Sequence, residues 1–303
     1  MSIINYLVLS GGGQTLFNYI GIFQTLFKSE YIDINSIKSI YGTSSGAIIG
    51  AFLCLKYEWD DIVDYIIRCP WENKLKVGIN KALKIFEYNG LYDDDLFICI
   101  FKSLLCGKNL TIDVTMKEFY EYSNINLHVF TFEINDFIKV DISHKTHPDL
   151  KLLDALRMSC SIPLLIKPIC CDGKCYIDGG IQVNYPLSEC LENEGCNEVN
   201  VLGVKNFNNN ILKQINSDSN ITDYFHVILK RTLKVLSQMK NEHVNDLTND
   251  LTNEIQLYTE GISFEIIMDA LFDKDKRKQM VNTGTSTADL FLQYNKKIRR
   301  DDR

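Results

Sequence analysis

A chain of 303 residues, 46% of them hydrophobic, can bury one large core, and its formal charge of −7 with a pI near 5.3 argues against a general nucleic-acid binder, whose footprint would be basic. Ten scattered cysteines, with an opening "MSIINYLVLSGGG" that lacks a basic n-region and a cleavage site, predict reduced thiols in a cytoplasmic protein. No apolar run approaches the roughly 18 residues of a membrane span, and "LFICIFKSLLC" at 96–106 is interrupted by Lys102, so any membrane contact is expected to be peripheral.

In chain order, "INYLVLS" (4–10) reads as a short apolar strand, followed by "GGG" and then a helix with apolar residues at Leu16, Ile20, Phe23 and Phe27. "IKSIYG" (37–42) is the next strand and "SGAIIGAFLCLKY" the next helix. Two strand-loop-helix units in succession predict a parallel sheet with helices on its faces, whose sites form at the carboxyl ends of the strands. Residues 59–124 read as irregularly helical around the acidic turn "NGLYDDD". "NLHVFTFEI" and "FIKVDISHKT" (126–146) are two strands joined by a turn, and "LKLLDALRMSCSIP" is a helix stopped by Pro163. Strands resume with "CYIDGGIQVNYP" and "VNVLGVK". From Ile221 to Val244, apolar Tyr224, Phe225, Ile228, Leu229 and Leu233 mark one helix face, with Lys230, Arg231 and Lys234 on the polar side. Such a helix either packs on a sheet or lies on anionic lipid. The tail, "KDKRKQM" and "NKKIRRDDR", reads as a solvated charged end, and no repeat or linker divides the chain, so a single domain over 1–303 is expected, with core motifs at 5–205 and a helical part at 220–303.

The pentapeptide Gly42-Thr-Ser44-Ser-Gly46 stands at a strand-to-helix junction. Small residues two positions either side let a tight turn close and push the Ser44 hydroxyl outward as a nucleophile, although a serine there also serves as a helix cap. A serine hydroxyl needs a base and donors for the oxyanion it creates. "SGGG" at 10–13 offers unshielded amides of Gly11, Gly12 and Gly13 ahead of a helix N-terminus. Gly11 and Gly13 also begin a GxGxxG pattern, with Glu30 and Asp33 downstream, but position 16 is leucine, which weakens a dinucleotide reading. For the base, His128, His144, His147, His226 and His243 lack a framing motif. Asp178 ends a strand and is followed by Gly179 and Gly180, where it is either a turn former or an active carboxylate. Cys170, Cys171 and Cys175 lack paired CxxC spacing and a nearby histidine, so a structural role is expected over a metal site.

Read together, "LVLSGGG…IGIFQTL", "YGTSSGAIIGA", "DALRMSCSIPLLIKPI" and "YIDGGIQVNYPL" occur in the order and contexts of one family. The chain resembles the patatin-like phospholipases. The resemblance implies a three-layer α/β/α fold with a central, mostly parallel sheet. It implies a Ser-Asp dyad of the GxSxG and DG[GA] type, with Ser44 as nucleophile and Asp178 as proton acceptor, and an oxyanion hole at Gly11, Gly12 and Gly13. It also implies hydrolysis of phospholipid, lysophospholipid or a related acyl ester, with no metal or organic cofactor. A lone aspartate with an ordinary pKa of roughly 3.9 is a weak base, so a partly desolvated Asp178 is expected. Family members commonly follow the triple glycine with a spacer, a basic residue and another glycine, where this chain has Gln14, Thr15 and Leu16. That departure opens the alternative of a catalytically impaired binding module. A Ser-His-Asp hydrolase using His226 or His243 is the enzymatic alternative.

Overall fold

The computed structural model describes residues 3–69, 71, 75, 89–208, 214–217, 219, 224, 227, 228, 231, 232, 251, 253–259 and 264–301. The strands are β1 (Tyr6–Leu9), β2 (Ser39–Thr43), β3 (Gly90–Tyr92), β4 (Asn126–Glu133), β5 (Ile138–Ile142), β6 (Leu164–Ile166), β7 (Ile169–Cys171), β8 (Lys174–Asp178), β9 (Val201–Asn208) and β10 (Glu254–Thr259). The helices are α1 (Leu16–Lys28), α2 (Ser45–Cys54), α3 (Trp59–Arg68), α4 (Asp94–Cys106), α5 (Met116–Ser123), α6 (Leu152–Cys160), α7 (Leu187–Glu194), α8 (Phe264–Phe272) and α9 (Lys274–Asp301).

The main sheet runs β10-β9-β1-β2-β4-β8-β7, with β5 on β4. Its β10, β9, β1, β2 and β4 are parallel, while β5, β7 and β8 pair antiparallel. Alternation along the strands gives the layers. Leu7, Leu9, Ile40, Leu127 and Val129 face a large core shared with α1, α2 and α6. Tyr6, Val8, Tyr41 and Phe130 face a smaller one closed by Cys190 and Leu191 of α7. The fold is the three-layer, mostly parallel arrangement the sequence predicted.

Three expectations are corrected. The tail is not a free charged end: α9 packs along α1, where a Cβ at Gly21 would strike the Val281 carbonyl and one at Gly284 the Asn18 carbonyl. Arg277, 1% exposed, donates to the Leu271 carbonyl at 2.7 Å and the Ile67 carbonyl at 3.2 Å, closing the ends of α8 and α3; Lys296 and Lys297 do face solvent. Gly284→Val is therefore expected to destabilise the protein by about 3 kcal/mol, read as a fall in Tm of several degrees, because the obstacle is backbone and cannot rotate away.

The stretch read as a helical C-terminal part contributes a strand, β10, whose Ile255 and Leu257 are buried between outward Gln256 and Tyr258. Finally, Cys170 and Cys175 are joined by a disulfide rather than carrying separate thiols. Asp172 and Gly173 both take positive φ, 52° and 75°, which makes a two-residue turn between β7 and β8 and sets Cys170 opposite Cys175. Most of the helix predicted between Ile221 and Val244, with His226 and His243, lies outside the described residues.

Candidate active site

Ser44 sits between β2 and α2 with φ 53° and ψ −121°, a conformation that costs a non-glycine residue roughly 1–3 kcal/mol and is kept where the surroundings enforce it. Those surroundings are tight. A Cβ at Gly42 would meet the Ala47 amide at 2.7 Å, and one at Gly46 would strike the Leu9 carbonyl at the end of β1. Only glycines let α2 start so close to the sheet.

Strand register brings the carboxylate to the hydroxyl. Thr43, the last residue of β2, pairs with Phe130 of β4, and Asp178, the last residue of β8, pairs with the next residue, Thr131. The two strands thus arrive from opposite directions at adjacent positions of β4. The Ser44 side chain lies beside the Asp178 carboxylate, whose Oδ1 accepts the Gly180 amide at 2.7 Å. Ser44 is 4% and Asp178 9% exposed, and burial raises the Asp178 pKa from 3.8 to about 6 against the lowering effect of the neighbouring Ser44 side chain and the Gly180 amide. The predicted desolvation of this carboxylate is present in the geometry.

The end of α6 supports both groups through three consecutive residues that the sequence reading quoted but gave no role. Ser159 Oγ accepts the Ser44 amide at 2.8 Å and donates to the Phe130 carbonyl at 2.5 Å. The Cys160 thiol sits beside the Ser44 side chain, and burial next to Asp178 raises its pKa well above the usual range. The Ser161 carbonyl accepts the Asp178 amide at 3.1 Å. Ser159→Ala leaves the Ser44 amide buried without an acceptor, and is expected to destabilise the fold by about 2 kcal/mol while lowering turnover through a displaced hydroxyl. Denaturant titration and esterase rates on the same sample test this, and rescue by Ser159→Thr separates positioning from general loosening.

The glycine loop lies alongside. A Cβ on Gly11 would come within 3.2 Å of the Ser44 Cβ, so the loop borders the hydroxyl directly. The Gly11 amide, expected to be a donor, is spent on the Asn184 carbonyl at 2.9 Å. Asn184 Nδ2 returns a 3.3 Å bond to the Gly11 carbonyl, and its Oδ1 lies 2.9 Å from where a Cβ on Gly180 would be, so this side chain ties the glycine loop to the Asp178 loop. Thr43 Oγ1 adds a 2.7 Å bond to the Val183 carbonyl beside it. Among the described residues, the amides of Gly12, Gly13 and Ser45 have no acceptor, Ser45 because it is the first residue of α2. Ser45 was missed in the sequence, although the residue after a nucleophile elbow is a known donor position.

The departures at 15 and 16 have local explanations. Leu16 adopts φ −44° and ψ −44°, ordinary helical values that need no glycine. Thr15 is fully buried, with its hydroxyl 3.5 Å from Ser45 Oγ in place of a cation. The described histidines are engaged elsewhere: His128 Nδ1 is 2.9 Å from the Asp141 carboxylate, His144 Nδ1 is 2.8 Å from Asn126 Oδ1, and His147 Nδ1 is 3.0 Å from Thr146 Oγ1.

Comparison with known proteins follows the same outline. The chain is 30% identical over 188 residues to probable lipid hydrolase 463L of Invertebrate iridescent virus 6, covering 61% of this chain and 63% of that protein. It is 29% identical over 185 residues to uncharacterized protein R571 of Acanthamoeba polyphaga mimivirus, covering 61% of each. The chain thus matches little more than three-fifths of the length of these relatives. Among solved structures, VipD from Legionella pneumophila shares the fold with a TM-score of 0.59 at 15% identity, over 96% of this chain and 67% of that one. The family model for patatin-like phospholipases spans residues 7–191, taking in the glycine loop, the elbow and the carboxylate in one match, and the chain belongs to that family.

Proposed function

We propose that the chain is a lipid acyl hydrolase, of phospholipase A or lysophospholipase type, that cleaves fatty-acyl esters through Ser44 and Asp178. The observation that carries this reading is the placement of a hydroxyl on a strained elbow beside a buried carboxylate whose pKa is raised to about 6. An aspartate with its ordinary pKa would take a serine proton poorly; one nearer neutrality is suited to general-base work.

In this mechanism Asp178 accepts the Ser44 proton as Oγ attacks the ester carbonyl carbon. The tetrahedral oxyanion is held by the amides of Gly12, Gly13 and Ser45. On collapse the C–O bond to the alcohol breaks, and Asp178 returns the proton to the leaving alkoxide. Water then attacks the acyl-Ser44 ester, giving up a proton to Asp178, and the freed fatty acid leaves with Ser44 protonated again. The name of 463L, a probable lipid hydrolase, supports the substrate class.

Incubating the purified protein with a panel of phospholipids, lysophospholipids and acylglycerols, with products read by mass spectrometry, tests the proposal. Free fatty acid above background is expected with the wild type. Background release from every lipid would leave only a binding role for the fold.

A further inference from the structure

Beyond the dyad, β4 and β8 continue outward into two hairpin tips. Glu133 is two residues past Thr131, the partner of Asp178, so at about 3.3 Å per residue the turn after it stands roughly 10 Å beyond the dyad, on the same end of the sheet as Ser44 and the glycine loop. That turn carries Ile134, Phe137 and Ile138, exposed by 44%, 57% and 47%. The apolar side chains are displayed on a rigid support. The buried Glu133 carboxylate accepts the amides of Asn135 at 3.0 Å, Asp136 at 2.6 Å and Cys175 at 2.9 Å. Asn135 Nδ2 donates to the Gly173 carbonyl at 2.8 Å, tying this tip to the disulfide-closed one beside it. Phe137 is held at φ 59°, with its ring edge-on to the buried Phe132 at 4.8 Å. A clustered apolar tip, fixed by buried polar bonds and placed at the mouth of a site, is an interaction surface.

We infer that the Ile134–Ile138 tip inserts into a zwitterionic phospholipid surface and docks the site on its substrate, an inference that rests on the hydrolase reading. Charge selects this occupant. Asp136 and Asp172 outnumber Lys174 at the tips, Lys139 is paired with Glu189 at 2.7 Å, and the whole chain carries −7. An anionic surface would repel such a face, whereas an uncharged or zwitterionic one admits it through apolar contact. Depth agrees. Insertion by about 5–10 Å into the boundary between headgroups and acyl chains brings the dyad down to the headgroup region, where the acyl ester bonds lie.

The test is co-sedimentation of the full chain with phosphatidylcholine vesicles, alongside hydrolysis of a soluble short-chain ester. The double variant Phe137→Ser with Ile138→Ser is expected to partition about tenfold more weakly, with soluble-ester turnover within twofold of wild type as the check on folding. Leu290→Ser, at an exposed apolar residue of α9, which packs on α1 and on β10 at the opposite edge of the sheet from the tips, is expected to bind as wild type. Binding is expected to survive 1 M salt. Wild-type partitioning by the double variant would overturn the inference, as would binding confined to anionic vesicles and abolished by salt. Salt-resistant self-association lost in the double variant, without vesicle binding, would assign the tip to a second copy of the chain instead. Because Ser44→Ala is expected to bind vesicles normally, tip-dependent binding by a protein with no esterase activity would sink the hydrolase reading and leave the docking surface standing.

Discussion

Ser44→Ala is expected to lower acyl-ester hydrolysis by a factor on the order of 10⁴ or more, to the background rate, because no other described hydroxyl combines a tight elbow with a buried carboxylate beside it. The change removes one oxygen and leaves the strained backbone as it is, so the fold should persist and Tm should stay within a few degrees. Loss of the hydroxyl also removes the neighbour that, with the Gly180 amide, favours ionised Asp178, so the carboxylate pKa should move further up. Initial rates on a soluble ester and on phospholipid, with Tm measured on the same preparation, decide the matter. A variant that turns over substrate at even a tenth of the wild-type rate would end the case for an acyl-enzyme on this residue.

Asp178→Asn is expected to cost about 10²–10⁴-fold in turnover and, in the opposite direction, to stabilise the protein at alkaline pH. Burial is the leading cause of the rise from 3.8 to about 6, so the native state holds the Asp178 proton more tightly than the unfolded chain does. The corresponding stability is fully present below pH 4 and is lost as pH rises through about 6; above that, the buried charge is a liability of about 2–3 kcal/mol. The substitution removes that charge. Its advantage in urea titrations should therefore be largest near pH 8 and vanish towards pH 4, and a difference independent of pH would show that the carboxylate is not held in this state. The wild-type rate has the complementary dependence. Only ionised Asp178 can take the serine proton, so kcat/KM should fall as pH drops through about 6 and level off above 7.

Much of this was legible in the chain because it is local. The helical spacing of α1 and the short apolar runs of β1 and β2 are local, and the strand-loop-helix alternation places "GGG" and "GTSSG" at carboxyl ends of strands. What was not legible depends on partners far apart in sequence. Nothing near Ser159 announces that its hydroxyl holds the Ser44 amide, because the bond exists only once α6 has packed beneath the elbow. Asn184 stood in a quoted motif, but its grip on Gly11 comes from a loop that the sequence leaves distant. The tail was misread for a related reason. Gly21 and Gly284 look like helix-weakening residues singly, and become a close helix crossing only when α1 and α9 are set side by side. The disulfide is not legible in "CCDGKC" because three cysteines share the segment, and only the turn at Asp172 and Gly173 sets Cys170 opposite Cys175.

Because Ser44 and Asp178 are both located by neighbouring peptide units of β4, that strand works as a ruler against which the two are set independently. Segments inserted or trimmed in the connections between them, such as the turn after α5, need not alter the gap. Bending β4 itself, for instance with a proline at Thr131, would pull the alcohol and the acid apart while every loop kept its sequence.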